Sequence, residues 1–362
     1  MTPRAFISEQ WSLGPCGGKP MRTDPDLMNP PPAVSARVDT RDGAMSSSDL
    51  EALSLSLRAS ITTRAESTRH HSRLSQLGPD AKFHLRMALL VGLMLSISVV
   101  GCRLASIHVQ IDGRVIALLA VFAMVAPLPL YWHEKGRAIL RESTLVLPWE
   151  LIVIAAVPFP VLIAARCGMP LQDALLGRID QSLGVSVPSI MVWASHHWLG
   201  TLINGTYPQV MPFLVVAALL PPIVGKTRAA REFLLANLIA FAIGLPLFAL
   251  IPAVAPWYYY HLVPPLDQAI CWDMLRELRL PGPYVFHGQA VGLVCFPSFH
   301  VIWAILCAAA LWGFRPIRIP VALLTLLIIL STLTTGWHYF VDVIAGVVIA
   351  VLAMAVARVY AM

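Results

Sequence analysis

The sequence predicts an all-α membrane protein, a polytopic helical bundle of about eight spans. Composition is the first observation behind this. Hydrophobic residues make up 57% of the 362-residue chain and charged residues only 13%, too few charges to cover a soluble domain of that size. The second is the recurrence of apolar runs near the roughly 20 residues that cross a bilayer. They lie at about 87–107, 114–132, 145–165, 208–225, 231–252, 299–314, 318–335 and 338–360. The third is a change of character near residue 80, where a tail (1–80) gives way to two extra spans (81–143) and then a six-span domain (144–362).

The tail is rich in Ser, Pro, Arg and Asp, with runs at Pro30-Pro31-Pro32 and Ser46-Ser47-Ser48 and no sustained apolar period. It is predicted to be disordered and is assigned no chemistry. No apolar core follows the basic start, so no secretory leader is expected. Pro127, Pro158, Pro221 and Pro246 fall inside the spans, where neighbouring helices can satisfy the carbonyls that proline frees.

Basic residues set the expected topology. Lys82 and Arg86 precede the first span, and Lys135, Arg137 and Arg141 separate the second from the third. Lys226, Arg228 and Arg231 precede the fifth, Arg315 and Arg318 the seventh, and Arg358 closes the last. All these clusters fall on one side of an eight-span arrangement, which the positive-inside rule places in the cytoplasm with both termini. Arg103, Arg114, Arg166, Arg178, Arg276 and Arg279 lie on the other side, so the bias is incomplete. The net charge of +6 sits at span ends and in short loops and gives no reason to expect nucleic acid as a partner.

The outer side then carries two long loops, about 166–207 and 253–298. The first mixes Asp173, Arg178 and Asp180 with Trp193, His196, His197 and Trp198, which suits a helix in the headgroup zone. Asp180 reads as a helix cap or a headgroup contact. The second opens on Ala255-Pro256-Trp257-Tyr258-Tyr259-Tyr260-His261 and continues with helical spacing from Leu266 to Leu280. The six cysteines show no Cys-x-x-Cys and no metal-type spacing. Cys271 and Cys295 share this loop, and either a disulfide or two thiols fits the sequence.

Two histidines carry the chemistry. His338 and Asp342 are four apart at the start of a span, hence on one helical face. A carboxylate there can hold one ring nitrogen and leave the other as a nucleophile. Ionisable residues at such a place point to function, although an interfacial histidine with a chance neighbour fits equally. His300 follows Pro297-Ser298, and Ser298 is a natural N-cap, so this histidine has a structural explanation of its own. The same helix start aims free N–H groups at an anion, as a phosphate site requires. Both histidines open a span and are separated by two crossings, so they reach the same side.

Phe296-Pro297-Ser298-Phe299-His300, followed by Thr335-Gly336-Trp337-His338-Tyr339-Phe340-Val341-Asp342, resembles the type-2 phosphatidic acid phosphatase superfamily. Within it, the chain is most similar to the branch of inositol phosphorylceramide and sphingomyelin synthases. Ala255-Pro256-Trp257-Tyr258 is similar to a Pro-Pro-Trp-Tyr run of that branch. The resemblance covers roughly residues 170–360. Thr332 stands where the wider superfamily has a phosphate-gripping arginine, and Phe299 replaces a glycine. No Lys-to-Arg-Pro motif precedes His300, and Arg315-Pro316 lies on the other side of the sixth span. The synthase branch also lacks that arginine.

The resemblance implies double displacement on a lipid phosphodiester. His338 is the nucleophile, Asp342 steadies it, and His300 exchanges protons with the leaving and incoming oxygens. Expected phosphate or headgroup contacts are Ser298 at the helix start, with Arg276 and Arg279. No metal and no cofactor is expected; donor and acceptor are membrane lipids. A lipid phosphate phosphatase is the rival enzyme, and a non-catalytic transporter or scaffold the rival of another class. At most one of the tandem His196 and His197 can line the site, a place in the headgroup zone being the default; His287 and Asp267 are candidates to recognise the headgroup, with solvated loop residues as the default. Headgroup, acceptor and oligomeric state are not encoded in these motifs.

Overall fold

The computed structural model describes Leu55 and residues 79–110, 120–121, 123–124, 126–167, 169–286 and 292–361. Apart from the start of the first helix, only Leu55 of the predicted tail is among them. In chain order the helices are α1 (Pro79–Leu104), α2 (Leu128–Glu134), α3 (Ala138–Thr144), α4 (Leu147–Ala156), α5 (Pro158–Arg166), α6 (Asp173–Ser182), α7 (Val187–His196) and α8 (Trp198–Asn204). They continue with α9 (Val210–Ile223), α10 (Thr227–Leu250), α11 (Pro256–Tyr259), α12 (Leu266–Arg279), α13 (Phe299–Leu311), α14 (Arg318–Thr334) and α15 (Phe340–Tyr360). A short parallel pairing of β1 (Ile107–Val109) with β2 (Tyr284–Phe286), Ile107 opposite Tyr284, ties the end of α1 to the loop before α13.

Among the described residues, six helical runs are long and apolar enough to cross a membrane: Asp80–Leu104, Ala138–Arg166, Trp198–Ile223, Thr227–Leu250, Arg315–Thr334 and Phe340–Tyr360. The shorter apolar Phe299–Leu311 packs among them. The protein is thus an all-α integral membrane bundle. Of the predicted second span (114–132), residues 114–119, 122 and 125 lie outside the described residues; its end is α2. The predicted third span starts earlier, at Ala138, and divides at Pro158, whose ring nitrogen cannot donate to the helix ladder. The predicted fourth span also starts earlier, at Trp198. Part of the stretch read as lying among headgroups is therefore the top of a crossing helix.

At the centre, α10 packs against α13 and α15, and α13 also meets α9 and α14. Phe241, Ile302, Leu306 and Leu311 fill this core, with Ala350, Ala353 and Ala357 on α15. Small residues let helices approach closely where lipid offers no hydrophobic drive. Gly346 is a case in point, because a Cβ there would lie 2.8 Å from the Ser298 carbonyl oxygen. That absence of a side chain brings the starts of α13 and α15 together.

Contacts gather the basic clusters at one end of the bundle. Arg86 donates to the Tyr360 carbonyl at 3.1 Å and Lys226 to that of Gly313 at 2.8 Å. Arg231 pairs with Asp80 at 2.7 Å and with Glu142 at 3.8 Å. The starts of α13 and α15, and so both motif histidines, lie at the opposite end.

Candidate active site

Ser298 caps α13, its hydroxyl accepting from the Val301 N–H at 3.4 Å, and its own N–H donates to the Asp342 carbonyl at 3.2 Å. That bond joins the two histidine-bearing helix starts. After α14, Gly336 turns the chain with φ +73° in space where a Cβ would strike Met191. The chain then reverses, and the His338 N–H reaches the Thr332 carbonyl at 3.2 Å. Thr332, at the position of the missing arginine, is fully buried and its hydroxyl bonds its own helix at Ile329.

The His338 ring is held first by backbone. Its Nδ1 lies 2.8 Å from the Cys295 carbonyl and 3.5 Å from Asp342 Oδ2. A carbonyl can only accept, so Nδ1 carries the proton and Nε2 keeps the lone pair. Asp342 was expected to fix this tautomer; in the structure the closer partner is a carbonyl that no side-chain pattern announces. Asp342 is fully buried, and its Oδ2 accepts from the Tyr339 N–H at 2.8 Å and the Cys295 thiol at 3.2 Å. Burial lifts the Cys295 thiol well above its usual range, so it stays protonated and donates. Cys295 is therefore a thiol, not half of a disulfide. Asp342 Oδ1 has no hydrogen-bond partner among the described residues.

The two imidazoles lie 6.0 Å apart between centroids, their planes 56° apart. Tyr207 stacks on His300 at 4.1 Å and 18°, and on Trp337 at 5.8 Å and 6°. Both histidines line a cavity of about 340 Å³. Its walls are otherwise mostly apolar, with Val153, Val157, Met211, Leu214, Phe233 and Phe241 among them. Thiol, imidazole and carboxylate of Cys295, His338 and Asp342 lie within 4.8 Å of one another, close enough for a metal ion. The thiol and Nδ1 are, however, occupied as donors to protein oxygens.

Two carboxylates on α6 hold the histidine loop in place. Asp180 accepts from the N–H groups of Phe340 at 2.8 Å and Val341 at 2.9 Å. It thus caps α15, a helix distant in sequence, rather than its own. Asp173 accepts from Val254 at 3.0 Å, Ala255 at 3.1 Å and the Tyr339 hydroxyl at 3.0 Å. Both carboxyls are raised above their ordinary range, chiefly by burial and against the pull of these donors. The start of α15 has therefore spent its first N–H groups. At the start of α13, those of Phe299 and His300 make no backbone hydrogen bond among the described residues.

The remaining candidates lie elsewhere. Arg279 donates to the carbonyls of Ala165 at 3.1 Å and Met169 at 3.2 Å, bracing α12 against α5. Arg276 faces Asp273 at 3.4 Å and Trp272 at 5.9 Å. Neither arginine lines the cavity. His196 and His197 are exposed and bond carbonyls one turn back, at Val192 and Trp193. Asp267 is exposed and accepts from the Gln268 N–H next to it; His287 is outside the described residues.

No curated protein and no solved structure matches this chain. One family model does match, over residues 174–356, a stretch that runs from α6 into α15 and takes in both histidines, Ser298 and Asp342. On that match, the chain belongs to the PAP2 superfamily.

Proposed function

We propose that the protein is a lipid phosphotransferase that moves a phosphoalcohol headgroup, of the inositol-phosphate type, between membrane lipids through a phosphohistidine. Membership of the superfamily supports phosphatase or phosphotransferase chemistry on lipids. The observation that carries the finer reading is the pair of imidazoles 6.0 Å apart on an apolar cavity, one of them with its Nδ1 proton pinned.

In the first step, the lone pair of His338 Nε2 attacks phosphorus and the bond from phosphorus to the lipid oxygen breaks. The departing alkoxide takes its proton from His300. The phosphorylated ring is cationic, and Asp342 lies 3.5 Å from its Nδ1–H. In the second step, His300 removes the proton of an acceptor hydroxyl, its oxygen attacks phosphorus, and the P–N bond breaks. Charge on the phosphoryl oxygens is met by the N–H groups of Phe299 and His300 at the positive end of α13.

Three features favour an acceptor alcohol over water. Thr332 replaces the arginine that would grip a free phosphate monoester. Tyr207 covers one face of His300. The cavity walls suit a lipid chain. The topology supports a site on the non-cytoplasmic face, opposite the basic end of the bundle.

The test uses the purified full chain with phosphatidylinositol and either ceramide or diacylglycerol. Headgroup transfer that depends on the acceptor is the expected result, with His338→Ala lowering it by about 10³-fold or more. Headgroup or phosphate release with no transfer would make the protein a phosphatase. Unchanged function in His338→Ala would leave a transporter or scaffold.

A further inference from the structure

Glu150 lies on α4, outside the residues matched by the family and outside the mechanism above. It lines the same cavity as the histidines, is 5% exposed, and neither of its carboxyl oxygens has a hydrogen-bond partner among the described residues. The cations at the basic end are engaged elsewhere, Arg231 with Asp80 and Glu142, and Lys226 with the Gly313 carbonyl. An ionisable side chain in an apolar span, left without a partner, is retained against a cost that packing alone does not explain. Buried polar groups normally find a partner, so an exception asks for one that is not part of the chain.

Its depth can be read from its neighbours. Trp149 donates to His84 Nδ1 at 3.1 Å, and His84 lies in the second turn of α1, near the basic end. Asn237, on the cavity wall, lies one turn, about 6 Å, toward the basic end from Phe241. Phe241 in turn stacks on Phe299 at 5.0 Å. The cavity therefore runs from the histidine pair into the bundle, with Glu150 and Asn237 on the part of its wall nearer the basic end.

We propose that this cavity receives the apolar chain of the lipid substrate and that Glu150 accepts a hydrogen bond from a hydroxyl group carried partway along that chain. The inference rests on the lipid phosphotransfer reading and adds a chain-recognition site to it. A plain saturated chain leaves the carboxyl without a partner; a hydroxylated one satisfies it.

The experiment compares two phosphatidylinositols matched except for a mid-chain hydroxyl on one octadecanoyl group. Binding is read by competition with a fluorescent lipid, and kcat/KM by headgroup transfer, both on the full chain. Wild type is expected to favour the hydroxylated lipid by about 10-fold, the worth of one buried hydrogen bond. Glu150→Leu is expected to bring the ratio to about one, and Glu150→Gln to keep part of it. A wild-type ratio near one, as an ordered water on Glu150 would give, overturns the proposal even if the leucine variant fails to fold. So does a wild-type ratio retained in Glu150→Leu. Binding to His338→Ala separates the two readings: a preference there with no turnover by wild type would sink the phosphotransfer reaction and leave Glu150 recognition standing.

Discussion

The Tyr207 ring lies flat against His300, 4.1 Å between centroids, while its other neighbour is Trp337 at 5.8 Å. The stack covers one face of the His300 imidazole. Tyr207→Phe keeps the ring and is expected to keep most activity. Tyr207→Ala is expected to lower transfer by about 10-fold and to raise the share of hydrolysis, as water reaches the general base. Radiolabelled headgroup, followed into lipid and aqueous products, measures both. An unchanged product ratio in Tyr207→Ala would remove the shielding role.

Because the Cys295 carbonyl already sets the His338 tautomer, Asp342 is left to act through charge. Asp342→Asn should then cost about 10²-fold in kcat, less than the ~10⁴-fold seen where a carboxylate alone fixes the tautomer. Cys295→Ala removes the thiol but keeps the carbonyl, and is expected to cost under about 10-fold. Rapid-quench detection of the phosphohistidine would show slower formation in the asparagine variant. Equal losses in both variants would contradict this division of labour.

Asp180 supplies both acceptors for the first N–H groups of α15. Asp180→Ala strands two part-buried donors, at a cost of about 1–3 kcal/mol, seen as a lower unfolding midpoint in detergent. Asp180→Asn retains one acceptor and should lose about half as much. Since His338 lies just before this helix, kcat should fall in both variants while KM changes little.

Asp173 makes stability depend on pH. Burial raises its carboxyl from 3.8 to about 6, so the folded chain holds this proton more tightly than the unfolded chain does. The ionised form weighs against the fold. The contribution is therefore most favourable below about pH 4, declines as pH rises toward 6, and stays lower above, by about 3 kcal/mol in all. Unfolding midpoints measured from pH 4 to 7 should fall more steeply in wild type than in Asp173→Asn. Parallel profiles would show that Asp173 does not titrate in this window.

Hydropathy and motif spacing determined the membrane bundle, its basic end and the pairing of His300 with His338, because each is a local pattern. Span lengths and charge clusters depend on residues close in the chain. What the sequence did not disclose came from backbone atoms and distant partners. A main-chain carbonyl, at Cys295, holds the nucleophile. A helix more than 150 residues upstream supplies the cap of α15 through Asp180. Tyr207 meets His300 only because α9 and α13 pack together. Glu150 is one acidic residue in an apolar run, and only the packed walls around it show it as a group without a hydrogen-bond partner among the described residues. Periodicity is written along the chain, whereas hydrogen-bond partners and cavities exist only once separate helices are brought side by side.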